Sequence, residues 1–301
     1  MRICVTAANC FIGFPLVKKL SEEGHEVIAV VRKGNNRIRD LSCFKGVRVL
    51  ELDFEEYYLL GEKIGPIDCL VLLTWSGTRG NGRLDETIQK NNLFYSKQAI
   101  ESVSKQGCKR IVTAGSQAEY GLHKNVVNEN EVCKPNTAYG KYKLLLYNFL
   151  KKKCLKEHIS FKEPRFFSVY GPGDYAGSMV MDTIKKMRNE EDCFFTKATQ
   201  KWNYLFIDDA IDAVFRLCTL SCPDGAYNLG SDDTRLLKEY IIDLKRIIHS
   251  NSQLFFGYIP YGQSGVVNVW PDISKAKKEL FWEPQFDFKS GIMRILETLN
   301  E

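Results

Sequence analysis

The sequence has no long apolar run. Stretches such as Cys69 to Leu73 are far too short to cross a bilayer, so no transmembrane helix is expected. Histidine is scarce, with four scattered residues, and the ten cysteines contain no Cys-x-x-Cys pair. No zinc site is expected from that pattern, and cysteines such as Cys4, Cys69 and Cys154 sit in apolar segments, as small reduced hydrophobes do. Neither sign of charge dominates: 42 Lys and Arg against 37 Asp and Glu leave +5, too mild and too evenly spread for a nucleic-acid binder. The densest basic run, Lys151-Lys152-Lys153, follows an apolar helical pattern and reads as a solvated helix face. No repeat or low-complexity linker is visible. Met1 is followed at once by the strand-like Arg2-Ile3-Cys4-Val5, with no leader-like segment, so a cytoplasmic protein is expected.

What is present is a 301-residue chain, 44% hydrophobic and 26% charged, long enough for one large α/β unit with a full core. Strand-like segments (Ile3–Thr6, Val27–Val31, Val47–Leu52, Cys69–Leu73, Arg110–Ala114, Ile159–Phe166) alternate with helical ones (Ile12–Glu23, Thr87–Ser104, Tyr139–Lys153). That rhythm predicts a doubly wound parallel sheet of Rossmann type over residues 1–170, with returning segments from the second half. Beyond Gly171-Pro172-Gly173 the rhythm loosens towards a last helix at Lys289–Leu299, and residues 171–301 are expected to form a smaller α/β substrate lobe.

The first βα turn reads Thr6-Ala7-Ala8-Asn9-Cys10-Phe11-Ile12-Gly13. In a dinucleotide site this turn holds a pyrophosphate at a helix N-terminus and carries three glycines. Only the third remains, as Gly13; Ala7 and Cys10 take the other two places. Arg32 and Lys33 end the second strand, where a basic residue accommodates the 2′-phosphate of NADP(H) and an acidic one binds the ribose of NAD(H). NADP(H) is therefore favoured, with NAD(H) open, as is a plain solvated strand end. Asp53, after the third strand, is placed to contact an adenine amino group or to shape a turn.

Tyr139 and Lys143 are four residues apart and share a helix face. An ammonium beside a phenol lowers its pKa and makes it a general acid and base for alcohol–ketone interconversion. Ser116, at a strand end, is placed to polarise the same carbonyl.

With these residues the chain resembles the extended short-chain dehydrogenases/reductases, the nucleotide-sugar epimerases, reductases and dehydratases. The resemblance rests on Thr6–Gly13, Ser116–Gly121, Pro135–Lys143, Arg165–Pro172, Ile207–Asp209, Tyr227–Gly230 and Trp282–Pro284, in family order. It implies catalytic Ser116, Tyr139 and Lys143. It implies cofactor contacts from Ala7, Asn9, Cys10, Phe11, Ile12, Gly13, Arg32, Lys33, Asp53, Phe54, Leu73, Thr74, Trp75 and Asn92, together with Tyr139 and Lys143. On the substrate side it implies Ser76, Gln117, Ser168, Lys201 and Trp202, and no metal.

The departures from the family narrow the chemistry. Gln117 and Ala118 stand where dehydratases carry an acidic pair, and Ala118 stands where 3,5-epimerising reductases carry Cys. Ser168 replaces an Asn, Trp202 stands at an Arg for the substrate diphosphate, and Gly262 falls near a second such Arg. A 4-ketoreductase of a nucleotide sugar is expected first. A 4-epimerase that retains its NAD and a non-catalytic dinucleotide sensor are the alternatives. The helices Thr87–Ser104 and Tyr139–Lys153 carry apolar residues on more than one face, which predicts a homodimer through them, with Leu146 a test of that face.

Overall fold

The computed structural model describes residues 1–34, 41–262 and 265–300. The chain runs β1 (Arg2–Thr6), α1 (Gly13–Glu22), β2 (Glu26–Val31), β3 (Val47–Glu51), α2 (Leu60–Ile64) and β4 (Cys69–Leu72). It continues α3 (Glu86–Lys105), β5 (Arg110–Thr113), β6 (Gly115–Ser116), α4 (Ala138–Glu157), β7 (Ser160–Phe166), β8 (Ser168–Tyr170), α5 (Met179–Arg188) and β9 (Cys193–Phe195). Then come β10 (Lys201–Phe206), α6 (Ile207–Thr219), β11 (Gly225–Leu229), β12 (Thr234–Leu236), α7 (Leu237–Ile248), β13 (Leu254–Phe256), α8 (Ser274–Leu280) and α9 (Phe288–Asn300).

The main sheet has the order β11-β7-β5-β4-β1-β2-β3, with β6 pairing β7, and its ladders are parallel. Period-two side-chain alternation builds the two faces. Ile3, Val5, Val27, Ala29 and Val71 face α1 and α6, whose Leu16, Val17, Leu20, Val214 and Leu217 are buried with them. Cys4, Ile28, Val30, Leu70 and Ile111 face α3 and α4, burying Ile100, Val103, Leu146 and Leu150. Covered on both faces, the strands are apolar runs rather than alternating ones. The crossovers leave β1 in opposite directions, towards β2 and towards β4, so a crevice opens beyond the carboxyl ends of β1 and β4. Smaller sheets, β12-β10-β8 and β13-β9, belong to the second half of the chain, and β11 returns from that half to the main sheet. Among the described residues no helix is long and apolar enough to cross a membrane.

One expectation about the helices is corrected. The buried side of α4 is a single stripe, including Tyr139, Lys143, Leu146, Leu150 and Cys154. Leu146 is 2% exposed and packs on the sheet-side core, so a charge there reports on folding and not on assembly. Phe94, Leu145 and Leu155 are outward apolar residues of the pair, at 55%, 42% and 79% exposure.

Candidate active site

The first turn keeps its shape without its first two glycines. Ala7 takes φ of 49°, the left-handed conformation a glycine would adopt freely. The Cys10 thiol turns back and accepts the Gly13 N–H at 3.2 Å, so it does not block the turn's mouth. Gly13 is irreplaceable on steric grounds, since a Cβ there would lie 2.4 Å from the Ala7 carbonyl oxygen. Ile12, at the start of α1, offers no side-chain cap, so apart from the Gly13 N–H taken by Cys10 the helix's N-terminal dipole is left for an anion. The Thr6 hydroxyl accepts the N–H groups of Leu73 (3.0 Å) and Thr74 (3.2 Å), tying the end of β4 to the turn. Asn9 and Phe11 are half-buried, and Phe11 packs against the core; Cys10, Ile12 and Leu73 line the cleft. The turn therefore fits the pyrophosphate of a dinucleotide.

At the end of β2 the two basic residues part company. Arg32 is exposed, but the Lys33 ammonium lies 2.6 Å from Glu56 and 4.0 Å from Asp53. Asp53 also accepts the Lys33 N–H at 3.2 Å and caps the turn Phe54–Leu59. Lys33 is thus paired chiefly with Glu56, Asp53 shapes the turn, and Phe54 packs on the rings of Tyr57 and Tyr95. The Thr74 hydroxyl is 2.8 Å from the Tyr57 hydroxyl. The partners of Lys33 and Thr74 are not near in sequence.

Ser116, Tyr139 and Lys143 meet in one pocket with Cys10, Ile12 and Trp75, beyond the carboxyl ends of the strands. Thr137 caps α4 by accepting the Gly140 N–H at 3.1 Å, which sets Tyr139 in the first turn of the helix. Burial pushes the Tyr139 phenol up; Arg83 and a hydrogen bond from Ser116 pull it back down. The Lys143 ammonium donates to the Ala114 carbonyl at 2.7 Å and lies 3.7 Å from the Trp75 ring centroid. It is 5.8 Å from the Tyr139 ring centroid, and burial lowers its pKa to about 8. The cation placed over the Tyr139 ring is Arg83, its guanidinium carbon 4.4 Å from the ring centroid. Arg83 therefore stands closer to the ring than Lys143 does. Arg83, in the turn Gly80–Arg83, escapes a reading of the sequence, because an Arg in a Gly-rich loop is ordinarily a solvated charge.

Asn92 and Gln89, both buried on α3, hold the loop that carries Arg83. Asn92 accepts the Ser76 N–H at 2.9 Å and donates to the Ser76 carbonyl at 2.8 Å. Gln89 accepts the Trp75 indole N–H at 2.7 Å and donates to the carbonyls of Gly77 (3.0 Å) and Gly82 (2.8 Å). Asn92, expected at the cofactor, spends its polar atoms on this loop.

Behind the pocket lies a buried charge cluster. Ser116 donates its N–H to Glu119 at 2.8 Å. Arg165 reaches Glu119 at 3.0 Å and Glu163 at 3.2 Å, with all three side chains at most 2% exposed. Glu163 is held well above the usual carboxylate range by burial and then by the charge of Glu119. Gly115 is required here, since a Cβ would lie 2.6 Å from the Glu163 side chain. The signal available in the sequence is the charged run Lys162-Glu163-Pro164-Arg165 inside an otherwise apolar strand.

On the substrate side, Gln117, Ser168 and Trp202 line the pocket. The Gln117 side-chain oxygen is buried without a hydrogen-bond partner among the described residues. Lys201 is not among the lining residues: its ammonium lies 5.7 Å from the Trp270 ring centroid. Val267 and Val269 close one wall, which sequence spacing gave no means of placing.

Comparison with known proteins agrees with this geometry. A profile of the NAD dependent epimerase/dehydratase family matches residues 3–230. The chain is 23% identical to the CDP-abequose synthase of Salmonella muenchen over 98% of this chain and 97% of that one. It is 27% identical to the dTDP-6-deoxy-L-talose 4-dehydrogenase (NAD(+)) of Aggregatibacter actinomycetemcomitans over 69% of this chain and 76% of that one. In fold it matches the UDP-glucose 4-epimerase of Thermotoga maritima with a TM-score of 0.89 at 22% identity, covering 100% and 99% of the two chains. The UDP-glucuronic acid 4-epimerase of Bacillus cereus, solved with UDP-glucuronic acid and NAD, matches with 0.83 at 21% identity over 99% and 100%. The chain belongs to the NAD-dependent epimerase/dehydratase family of extended short-chain dehydrogenases/reductases.

Proposed function

We propose that this protein is an NADPH-dependent 4-ketoreductase of a nucleotide sugar. The observation that carries the reading is the meeting of Ser116 and Tyr139 with the glycine-poor turn in one cleft. In the reductive direction Tyr139 gives its proton to the carbonyl oxygen, and the Ser116 hydroxyl holds that oxygen by a hydrogen bond. A bound nicotinamide dinucleotide supplies the hydride that completes the alcohol. Ala7, Asn9, Cys10, Phe11, Ile12 and Gly13 would hold its pyrophosphate, and Leu73, Thr74, Trp75 and Lys143 its nicotinamide half. Gln117 and Trp202 would hold the sugar, with Ser168 supplied by β8 and residues 171–301 contributing the lobe that carries Trp202. Gln117 and Ala118 supply no acid–base pair for eliminating water, which speaks against a 4,6-dehydratase. A relative whose name gives a 4-dehydrogenase, the reverse of such a reduction, supports the redox chemistry at C4, while its named cofactor is NAD(+).

A 4-epimerase with retained NAD is the second reading. The carboxylates of Asp53 and Glu56 around Lys33 favour it, because they weaken a 2′-phosphate site. Cofactor content decides between them. The reductase is expected to purify empty and to bind NADPH about tenfold more tightly than NADH through one charge-assisted contact from Arg32. Arg32→Ala should erase that preference. Protein that purifies with stoichiometric NAD, or that binds NADH more tightly, replaces the reductase with the epimerase. We further propose a homodimer through α3 and α4, on the exposed Phe94 and Leu145.

A further inference from the structure

On the reading of Ser116 as the group that holds the carbonyl oxygen, we propose that Glu119 is a positioning residue for that hydroxyl. Its carboxylate, buried against Arg165, holds the turn Gln117–Glu119 so that the Ser116 proton is left to donate into the pocket. The Ser116 N–H donates to Glu119 Oε1 at 2.8 Å. The other carboxylate oxygen, Oε2, takes both Nε and Nη2 of Arg165, each at 3.0 Å. Each oxygen of Glu119 thus has one task, and a fully buried side chain has little freedom to change it. With the turn closed in this way, the Ala118 N–H reaches back to the Ser116 hydroxyl oxygen at 3.2 Å. A serine hydroxyl has one proton to give and lone pairs to receive. Ala118 occupies a lone pair, so the proton points away from the turn, towards the pocket that Ser116 lines with Tyr139.

The anchor behind the turn is itself fixed. Arg165 lies on β7, opposite Gly115 of β6 in the ladder, so the sheet carries the cation. Its guanidinium carbon stands 4.7 Å from the ring centroid of Tyr120 and 5.1 Å from that of Tyr147. Tyr120 is anchored in turn, its hydroxyl donating to Asn228 Oδ1 at 2.6 Å. In front, the turn meets α4: a Cβ at Gly140 would lie 2.2 Å from the Ala118 carbonyl oxygen. Gly140 follows Tyr139, so the turn that seats Ser116 is packed on the helical turn that seats Tyr139. Slack in the first changes the spacing of the two hydroxyls, and reacting groups tolerate little misplacement. Replacing Glu119 leaves Arg165 one carboxylate, Glu163 at 3.2 Å, so the buried cation keeps a partner and the variants are expected to fold.

The test places Glu119→Gln and Glu119→Leu in wild type and in Ser116→Ala, and follows kcat and KM with a nucleotide sugar that the wild type turns over. Ser116→Ala is expected to lower kcat about 10²-fold, as loss of one donor to a developing oxyanion does. Glu119→Leu should lower it about tenfold, with KM little changed. Glu119→Gln, whose amide oxygen still accepts the Ser116 N–H, should lose only about threefold. In the Ser116→Ala background both losses should vanish, because a residue that works through the hydroxyl has nothing left to position. Amide hydrogen exchange needs no substrate: the Ser116 N–H should lose about tenfold or more of its protection in Glu119→Leu. Folded Glu119 variants with wild-type kcat, or with unchanged protection at Ser116, overturn the proposal. So does a loss of equal size with and without the Ser116 hydroxyl, the mark of a purely structural residue. Should Glu119→Leu fail to fold, Glu119→Gln carries the same comparisons. Undiminished turnover in Ser116→Ala would instead remove Ser116 from the chemistry, a failure of the underlying reading that this one variant shows by itself.

Discussion

Tyr139→Phe should cut turnover by roughly 10²–10⁴ while leaving the fold and dinucleotide affinity nearly intact, the range for loss of a positioned general acid. The substitution removes one oxygen. The ring keeps its contacts with Trp75 (centroids 6.4 Å apart) and with Arg83, so packing barely changes. What is lost is the only phenol among the pocket-lining residues that include Ser116. The Ser116 hydroxyl can still polarise a carbonyl but has no proton of suitable acidity to give. Steady-state kinetics against circular dichroism and cofactor titration separate the outcomes: an unchanged kcat rejects the assignment, and a kcat loss that tracks unfolding rejects it too.

The second large effect concerns stability. Arg165→Met should destabilise the protein by about 3–5 kcal/mol, the cost of leaving buried charge unpaired. That is a large part of the roughly 5–15 kcal/mol that holds a domain together. Glu119 and Glu163 would face each other with their shared guanidinium gone. The pH dependence follows from the sign of the Glu163 shift. Its carboxyl is raised in the folded state, so the fold holds a proton that the unfolded chain gives up at ordinary carboxylate pH. Stability therefore falls as pH rises above the unfolded value, through the folded one. Without Arg165 that slope should steepen, so the variant's deficit grows towards alkaline pH and shrinks in mild acid. Adding Glu163→Gln should recover much of the loss. Urea unfolding across pH checks this; a deficit under about 1 kcal/mol, or one that does not vary with pH, would show that the cluster is not the tightly coupled unit described.

Much of this architecture is legible in the chain because it is written in local periodicity. The strands at Ile3, Val27, Cys69 and Arg110 are short apolar runs, and both faces of the sheet bury them. Ser116, Tyr139 and Lys143 stand out because one residue ends a strand and the other two share a helix face. What the sequence hides depends on partners far along the chain. Lys33 looks like a phosphate ligand until Glu56, 23 residues away, takes its ammonium. Leu146 and Leu145 are equivalent letters, yet one is in the core and the other in solvent, because helix phase against the sheet decides it. Arg83 gives no signal in the sequence because a loop held by Gln89 and Asn92 turns its guanidinium onto the Tyr139 ring. Such contacts are set by tertiary closure, and no spacing rule reports them.

The most direct test of the account is hydride tracing. The protein is incubated with NADPH carrying deuterium at the transferable position and with a panel of 4-keto nucleotide sugars, and the sugars are read by mass spectrometry. The account predicts one deuterium on a ring carbon of a reduced sugar, with wild type and not with Tyr139→Phe. Sugars recovered unreduced and unlabelled across the panel, with the labelled cofactor intact, would contradict it.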